Sequence, residues 1–285
     1  MKKISKYIID ISYHNGVVDL NKAKKYIAGV VARCSYGWSS SNIDKQWDNN
    51  AKQANELNIP LFAYHFCYAR NEEEAKKEAK LALKACQNYQ VNVIYYDLEY
   101  SDYQGNLSND MYYKIAKAFC DAIEDTGHSV GIYANQNWFK TKLTNDGFSA
   151  WTLWLANYGN NNGYNNWNNE LQYNPFNHVL LHQFTSNAKN GVLKNIEGIS
   201  SSNLDCSYDH GLISTFVKDS QISENKSFHV DDKVKVKANS KWYDGQSIAS
   251  FVFNNEYEII QIDGDRVVIG VNGKVTGAIS SSNLY

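Results

Sequence analysis

As far as about residue 145 the chain alternates short apolar runs with longer polar stretches. The runs are YIIDIS (7–12), GVVARCS (29–35), IPLFAYHF (59–66), VNVIYYDLEY (91–100) and SVGIYAN (129–135). Each has strand length and is apolar on both faces, the pattern of a parallel sheet covered by helices. The intervening stretches favour helix. The clearest, NEEEAKKEAKLALKACQNY (71–89), opens with an Asn cap, carries acids in its first turn and repeats apolar residues at helical spacing. Five βα units follow from this rhythm.

After Thr144 the rhythm changes. WTLWLANYG (151–159), HVLLHQFTS (178–186) and SSNLDCSYD (201–209) read as three more strands, with no strong helical pattern between them. The predicted architecture is α/β, a modified TIM-like barrel of five βα units followed by three strands. The Asn- and aromatic-rich loop at 157–177 is long for a simple connection, and such loops commonly serve function. A loose low-complexity insert is the alternative. KDSQISENKS (218–227) is polar and aperiodic and reads as a linker between a first domain, 1–217, and a second, 228–285. The second is strand-rich: KVKVKA, IASFVF, YEIIQI, RVVIGV and VTGAI are broken by DG, NN, DGD and NG turns. It is predicted to be a small all-β barrel.

Composition narrows the class. Of 285 residues, 43 % are hydrophobic and 14 % aromatic, enough for a sizeable core, and the 21 tyrosines supply flat surfaces with polar tips that suit sugars. A net charge of -2 with no basic run argues against nucleic acid. Cys34, Cys67, Cys86, Cys120 and Cys206 form no CxxC pair and read as packed, reduced thiols. No apolar stretch is long enough to span a membrane. In MKKISKYIIDIS, Ser5, Lys6 and Asp10 interrupt any apolar signal-peptide segment, so synthesis in the cytoplasm without a signal peptide is expected.

The candidate chemistry sits at strand ends. Asp97 and Glu99 are separated by one residue, so on a strand they face the same way, roughly 6.6 Å apart. Barrel enzymes keep their sites at the C-terminal mouth. Two such carboxylates repel when both are ionised, and one then holds its proton to higher pH. An acid beside an anion is the pair that cleaves glycosidic bonds. Taken alone, a D-x-E at a strand end reads more readily as a pair salt-bridged to lysines. Asp10, ending the first strand, and Asp205, ending the eighth, bring four acids to one mouth of a closed barrel. Tyr64, His65, Phe66, Tyr133, Trp154 and Tyr158 add aromatic surface there, with core packing as their other role. The four acids, joined by His65 and His182, could hold a hard cation, but no His-x-x-x-His pair occurs, and neither a metal nor a cofactor is expected.

In order along the chain stand DISYHNG (10–16), YHF (64–66), YYDLE (95–99), GIYAN (131–135), LWLANY (153–158), HQFTS (182–186) and NLDCSYDHG (203–211). Together they resemble glycoside hydrolase family 25, the Chalaropsis-type lysozymes of bacteria and phage endolysins, over residues 5–215. The resemblance implies a barrel of five βα units and three strands, and cleavage of the β-1,4 bond between N-acetylmuramic acid and N-acetylglucosamine in peptidoglycan. It places the catalytic acid on Glu99, its partner carboxylate on Asp97 and supporting acids on Asp10 and Asp205. Arg33, Tyr64, Tyr133, Trp154, Tyr158 and Gln183 are the implied substrate contacts. One departure stands out. Where many members carry a Lys-x-Thr-Glu-Gly-like segment, this chain reads RCSYG (33–37), keeping a base as Arg33 but placing Tyr36 where a glutamate is common.

The second domain is similar to bacterial SH3-type cell-wall-binding modules, with Trp242, Tyr243 and Phe251 as candidate wall contacts. The expected protein is a monomeric phage or prophage endolysin. It would reach the wall through a holin-type partner or lysis. A bacterial autolysin, a chitinase-like hydrolase and a non-catalytic wall-binding protein are the alternatives. The chitinase signature needs aspartates where Asn92 and Tyr95 stand.

Overall fold

A computed structural model describes residues 6–104, 107–217, 228–237 and 240–284. Eight strands close into one barrel in sequence order. They are β1 (Tyr7–Ile11), β2 (Gly29–Tyr36), β3 (Leu61–Phe66), β4 (Ile94–Asp97), β5 (Val130–Asn135), β6 (Thr152–Ala156), β7 (Val179–Thr185) and β8 (Asp205–Asp209). Neighbours from β1 to β7 pair in parallel, whereas β8 runs antiparallel to both β7 and β1. A parallel return needs a crossover, usually a helix. Between β7 and β8 the regular structure is a single 3-10 turn, Ala188–Asn190, so the chain comes straight back. Asp205 therefore begins its strand rather than ending it, and the antiparallel direction still brings it to the mouth.

Helices α1 (Leu20–Ala23), α2 (Trp47–Glu56), α3 (Glu72–Cys86), α4 (Ser101–Gln104), α5 (Asn109–Glu124), α6 (Gln136–Thr141) and α7 (Leu212–Phe216) complete this part of the chain. The Asn71 side chain caps α3 by accepting from the Glu74 N–H, and Ser108 caps α5 through Met111. On α5, Tyr112, Ile115, Ala116, Phe119, Cys120 and Ile123 recur at helical spacing and are buried. Phe119 stacks on Tyr96 of β4 at 3.8 Å and 4°.

Strand side chains alternate between two cores. Ile9, Val30, Ala63, Tyr96 and Leu153 face the helices, while Ile8, Val31, Phe62, Tyr95, Trp154 and Leu181 fill the barrel. All five cysteines are free and buried. The fourth strand is shorter than the apolar run 91–100 suggests. It stops at Asp97, and Glu99 lies just beyond the sheet. The third begins after Pro60, which has no N–H for the ladder, although its carbonyl accepts from Val30 at 2.9 Å.

The loop at 157–177 is held in place. Asn161, at φ 46°, accepts from the Ser186 N–H at 2.9 Å and the Thr185 hydroxyl at 2.8 Å. Gly163 and Gly191 touch so closely that a Cβ on Gly163 would lie 2.6 Å from the Gly191 nitrogen. Asparagine is suited to both tasks, because it tolerates positive φ and its amide completes turns.

The chain divides into two compact units, Met1–Ile222 and Ser223–Tyr285. The expected linker, 218–227, lies outside the described residues. The second unit is all-β: β9 (Lys233–Lys235), β10 (Glu256–Asp263), β11 (Arg266–Val271) and β12 (Lys274–Ser280) form an antiparallel sheet ordered β12-β11-β10-β9. Its ladder is open rather than the closed barrel expected, and an isolated bridge joins Val236 to Leu284. IASFVF is not a strand. Ser250–Asn254 forms a 3-10 turn that buries Val252 and leaves Phe251 65 % exposed. A run with a single polar residue, Ser250, has no clear period-two signal, and pattern alone does not distinguish strand from turn there.

Gly131 faces the barrel interior, where a Cβ would sit 2.5 Å from the Tyr95 ring and 2.7 Å from the Thr152 carbonyl. Gly131→Ala is therefore expected to destabilise the barrel by about 1–3 kcal/mol, as overpacking does. Denaturant unfolding measures this, and an unchanged midpoint would contradict the packing described.

Candidate active site

On six strands the inward row meets the mouth with a polar or aromatic residue. Asp10 follows Ile8 on β1, Arg33 follows Val31 on β2, and Tyr64 follows Phe62 on β3. Asp97 follows Tyr95 on β4, Tyr133 follows Gly131 on β5, and Gln183 follows Leu181 on β7. Register aligns Asp10 with Asp205, and Asp97 with Phe66 on one side and Tyr133 on the other. Asp10, Arg33, Tyr64, Asp97, Tyr133 and Gln183 thus converge on one end, whereas His65 and His182 lie on the outward rows, His65 bonded to Ser35 beside Glu78 and His182 to the Asn157 carbonyl.

Gln183 joins them. Its amide nitrogen donates to Asp10 at 3.0 Å and Asp205 at 3.4 Å. Its carbonyl accepts the hydroxyls of Tyr133 at 2.8 Å and Tyr158 at 2.7 Å. Trp154 lies lower. It is 1 % exposed, donates its indole N–H to Ser207 at 3.0 Å, and packs 4.4 Å from Tyr133 and 5.9 Å from Tyr64. It floors the site rather than offering a face to a ligand.

Arg33 is the cation among these acids. Its Nε donates to Asp44 Oδ2 at 2.8 Å, and its guanidinium sits 4.9 Å from the Tyr13 ring and 5.5 Å from Tyr36. Asp44 is buried and also accepts the N–H groups of Tyr13 at 3.1 Å and Gln46 at 2.9 Å. The Tyr36 departure is thereby accounted for: Tyr36 meets Arg33 through its ring, and the carboxylate partner comes from Asp44. Sequence reading missed Asp44, which stands in a polar loop with nothing local to mark it.

Burial drives the electrostatics. Asp10 is pushed well above the carboxylate range by desolvation, then by the charges of Asp205 and Glu99, against the pull of Arg33 and Gln183. Asp97, 4 % exposed, is raised by desolvation, then by Glu99 and Asp10, with Arg33 opposing. Glu99 is raised by desolvation, and the Tyr133 hydroxyl restrains it. Asp205 is pushed up to about 6 by desolvation and by Glu99. The four titrate as a linked set. The Oδ1 of Asp97 is buried and has no hydrogen-bond partner among the described residues. Among those residues, no three His, Cys, Asp or Glu side chains are arranged to hold a metal ion, and no helix is long and apolar enough to cross a membrane.

In the second unit, Trp242 and Tyr243 line a groove of about 380 Å³ with Asp244, Arg266 and residues 276–278. Gly277 lies against the indole, where a Cβ would come within 2.5 Å of it. Phe251 does not line this groove.

A carboxyl raised on folding binds its proton more tightly in the native state. Its effect is absent below the unfolded pKa, stability falls as pH rises from there, and the loss is complete above the folded pKa. For Asp205 that window runs from 3.8 to about 6. Asp205→Asn is expected to raise the melting temperature relative to the parent at pH 8 but not at pH 3.5. Thermal melts at the two pH values measure it, and an equal shift at both would rule out the buried-charge account.

A model of the glycosyl hydrolases family 25 matches residues 9–192. A search of curated proteins returns no match. Among solved structures, the modular autolysin LytC from Streptococcus pneumoniae, solved with a synthetic peptidoglycan ligand, is 27 % identical with a TM-score of 0.58. The match covers 73 % of this chain and 47 % of that one, so this chain spans about half its length. The catalytic domain of an endolysin from a bacteriophage of Listeria monocytogenes is 21 % identical, with a TM-score of 0.58 and coverage of 75 % and 98 %. The spore cortex lytic enzyme SleM of Clostridium perfringens is 17 % identical, with a TM-score of 0.61 and coverage of 98 % and 85 %. The latter two are likenesses of fold. A family model spanning well over half the chain, on a barrel of five βα units and three further strands, leaves one conclusion: the chain belongs to glycosyl hydrolases family 25.

Proposed function

We propose that this glycoside hydrolase is an N-acetylmuramidase, a lysozyme that cuts the β-1,4 bond between N-acetylmuramic acid and N-acetylglucosamine in Gram-positive peptidoglycan. The observation that carries the reading is the set of four acids, all raised by burial, at the mouth of a family 25 barrel. Glu99 is the general acid for the leaving oxygen. It stands past the end of β4, on the rim, where a glycosidic oxygen has access.

Burial raises Asp10, Asp97 and Glu99 alike, and in the free site the acids share protons as a coupled set. A substrate fixes where the proton sits. The unpartnered Oδ1 of Asp97 is an acceptor for an N–H, and the acetamido group of either sugar supplies one. That hydrogen bond favours the Asp97 anion. The proton then resides on Glu99, and Asp97 holds the acetamido group and faces the positive charge developing at the anomeric carbon. Gln183, bonded to Asp10 and Asp205, keeps those two acids in position. Arg33 offsets part of the negative charge.

The second unit is read as a wall-binding module of SH3 type, with residues 1–217 as the catalytic domain, 218–227 as linker and 228–285 as the module. The Trp242–Tyr243 groove is its ligand site. An endolysin and an autolysin both occur among the similar structures. The phage or prophage endolysin remains the favoured biological setting and the autolysin its alternative, with the same chemistry in either.

Glu99→Gln is expected to stay folded and lose about 10²- to 10⁴-fold in cleavage, the usual contribution of general acid catalysis. Release of reducing ends from purified walls, with mass spectrometry of the fragments, tests both the residue and the bond cut. Near-normal activity in a folded variant would remove Glu99 from the role. Residues 1–217 alone are expected to cleave soluble glycan as fast as the full chain and intact cells more slowly, because the module concentrates enzyme at the wall. A paired assay on the two substrates decides this, and equal loss on both would mean that the tail supports the barrel instead.

A further inference from the structure

The end of β2, the loops after β3 and β4, and α4 carry a row of aromatic rings that the proposed chemistry does not use. Tyr36 and Tyr68 lie 6.1 Å apart. Tyr68 meets Tyr100 at 5.2 Å and Tyr103 at 6.0 Å, and Tyr100 and Tyr103 are stacked 5.9 Å apart at 13°. The row is continuous with the acid-lined mouth, since Tyr36 sits on the Arg33 guanidinium, whose charge reaches Asp10 and Asp97. At its far end the Arg70 guanidinium lies 5.5 Å from the Tyr103 ring and, among the described residues, meets no carboxylate.

Unlike Tyr96 and Phe119, which are fully buried, Tyr36, Tyr68 and Tyr100 are partly exposed, and Tyr103 is 43 % exposed. The row is also built to stay put. The Tyr68 N–H donates at 2.8 Å to Glu78, a carboxylate with no exposure that also accepts the Tyr96 hydroxyl at 2.6 Å. Gly37, at φ +51°, leaves room for the Tyr68 ring, which a Cβ there would approach to 3.0 Å.

A fixed row of partly exposed tyrosine rings offers surface for the C–H faces of sugars, and an unpaired guanidinium takes a carboxylate. A glycan strand that carries peptide stems offers both along one molecule. We propose that Tyr68, Tyr100 and Tyr103 form a distal subsite for sugars beyond the pair being cleaved, and that Arg70 binds a free carboxylate of a peptide stem. The inference rests on the muramidase reading above.

The test compares the full-length protein with Tyr103→Ala and Arg70→Ala on three purified substrates. These are the shortest cleavable muropeptide, long strands whose peptides carry free carboxylates, and the same long strands stripped of free carboxylates by amidation. Both substituted side chains are exposed, and circular dichroism verifies folding. Tyr103→Ala is expected to raise KM about 2- to 10-fold on both long strands, the range of one lost aromatic contact, with kcat and the shortest substrate unaffected. Arg70→Ala is expected to raise KM only on the long strands with free carboxylates. Parental KM values for both variants on long strands, or equal losses on short and long substrates, overturn the subsite. An Arg70→Ala loss that persists on stripped strands overturns the carboxylate assignment. If the parent cleaves none of the three, the muramidase reading itself falls, a result separable from failure of the subsite alone.

Discussion

Four carboxylates share the mouth of this barrel with one guanidinium, and burial keeps water from screening them. Charge repulsion at short range in a poorly hydrated site is costly. The cluster answers by holding protons above the usual carboxylate range and by spreading its contacts. Gln183 donates to two of the acids through one nitrogen, while two tyrosine hydroxyls fix its other end. Arg33 is itself shared, since its Nε is committed to Asp44 while its charge acts on Asp10 and Asp97. A proton reservoir that a substrate can redistribute is what a general acid working near neutral pH requires.

The scaffold makes that cluster tolerable. Carboxylates held by a flexible surface would swing apart into water, whereas these sit on strand ends whose positions are set by a closed ladder. The barrel interior beneath them is filled by Tyr95, Trp154 and Phe62. Trp154 connects the layers, packing under Tyr133 and Tyr64 and donating to Ser207 on β8. The absence of a barrel Cβ at Gly131 leaves room for Tyr95. Packing and chemistry are thus carried by alternate residues of the same strands.

The rim adds what the floor lacks. Asp44, Tyr13 and Tyr36 hold Arg33 from the loop side, and Tyr68, Tyr100 and Tyr103 extend an aromatic surface outward along neighbouring loops. The second unit repeats the theme on a smaller scale, with the Trp242 indole packed against Gly277 in the wall of a groove. In both units glycine sets where an aromatic ring can lie.

By itself the sequence determined the barrel class, the inward acids and the small β unit. Those features depend on local periodicity: apolar runs of strand length, and Asp97 and Glu99 one residue apart. The ordered motifs from DISYHNG to NLDCSYDHG carried the family. Tertiary structure alone decided the rest. The direction of β8 followed from closure against β1 and β7, and the 3-10 turn in IASFVF from the burial of Val252. Asp44 became the partner of Arg33, and Gln183 reached Asp10 from 173 positions away. Such pairings carry no period: the loop after β2 folds Asp44 back onto Arg33, and barrel closure brings the distant ends of β1 and β7 within hydrogen-bond distance.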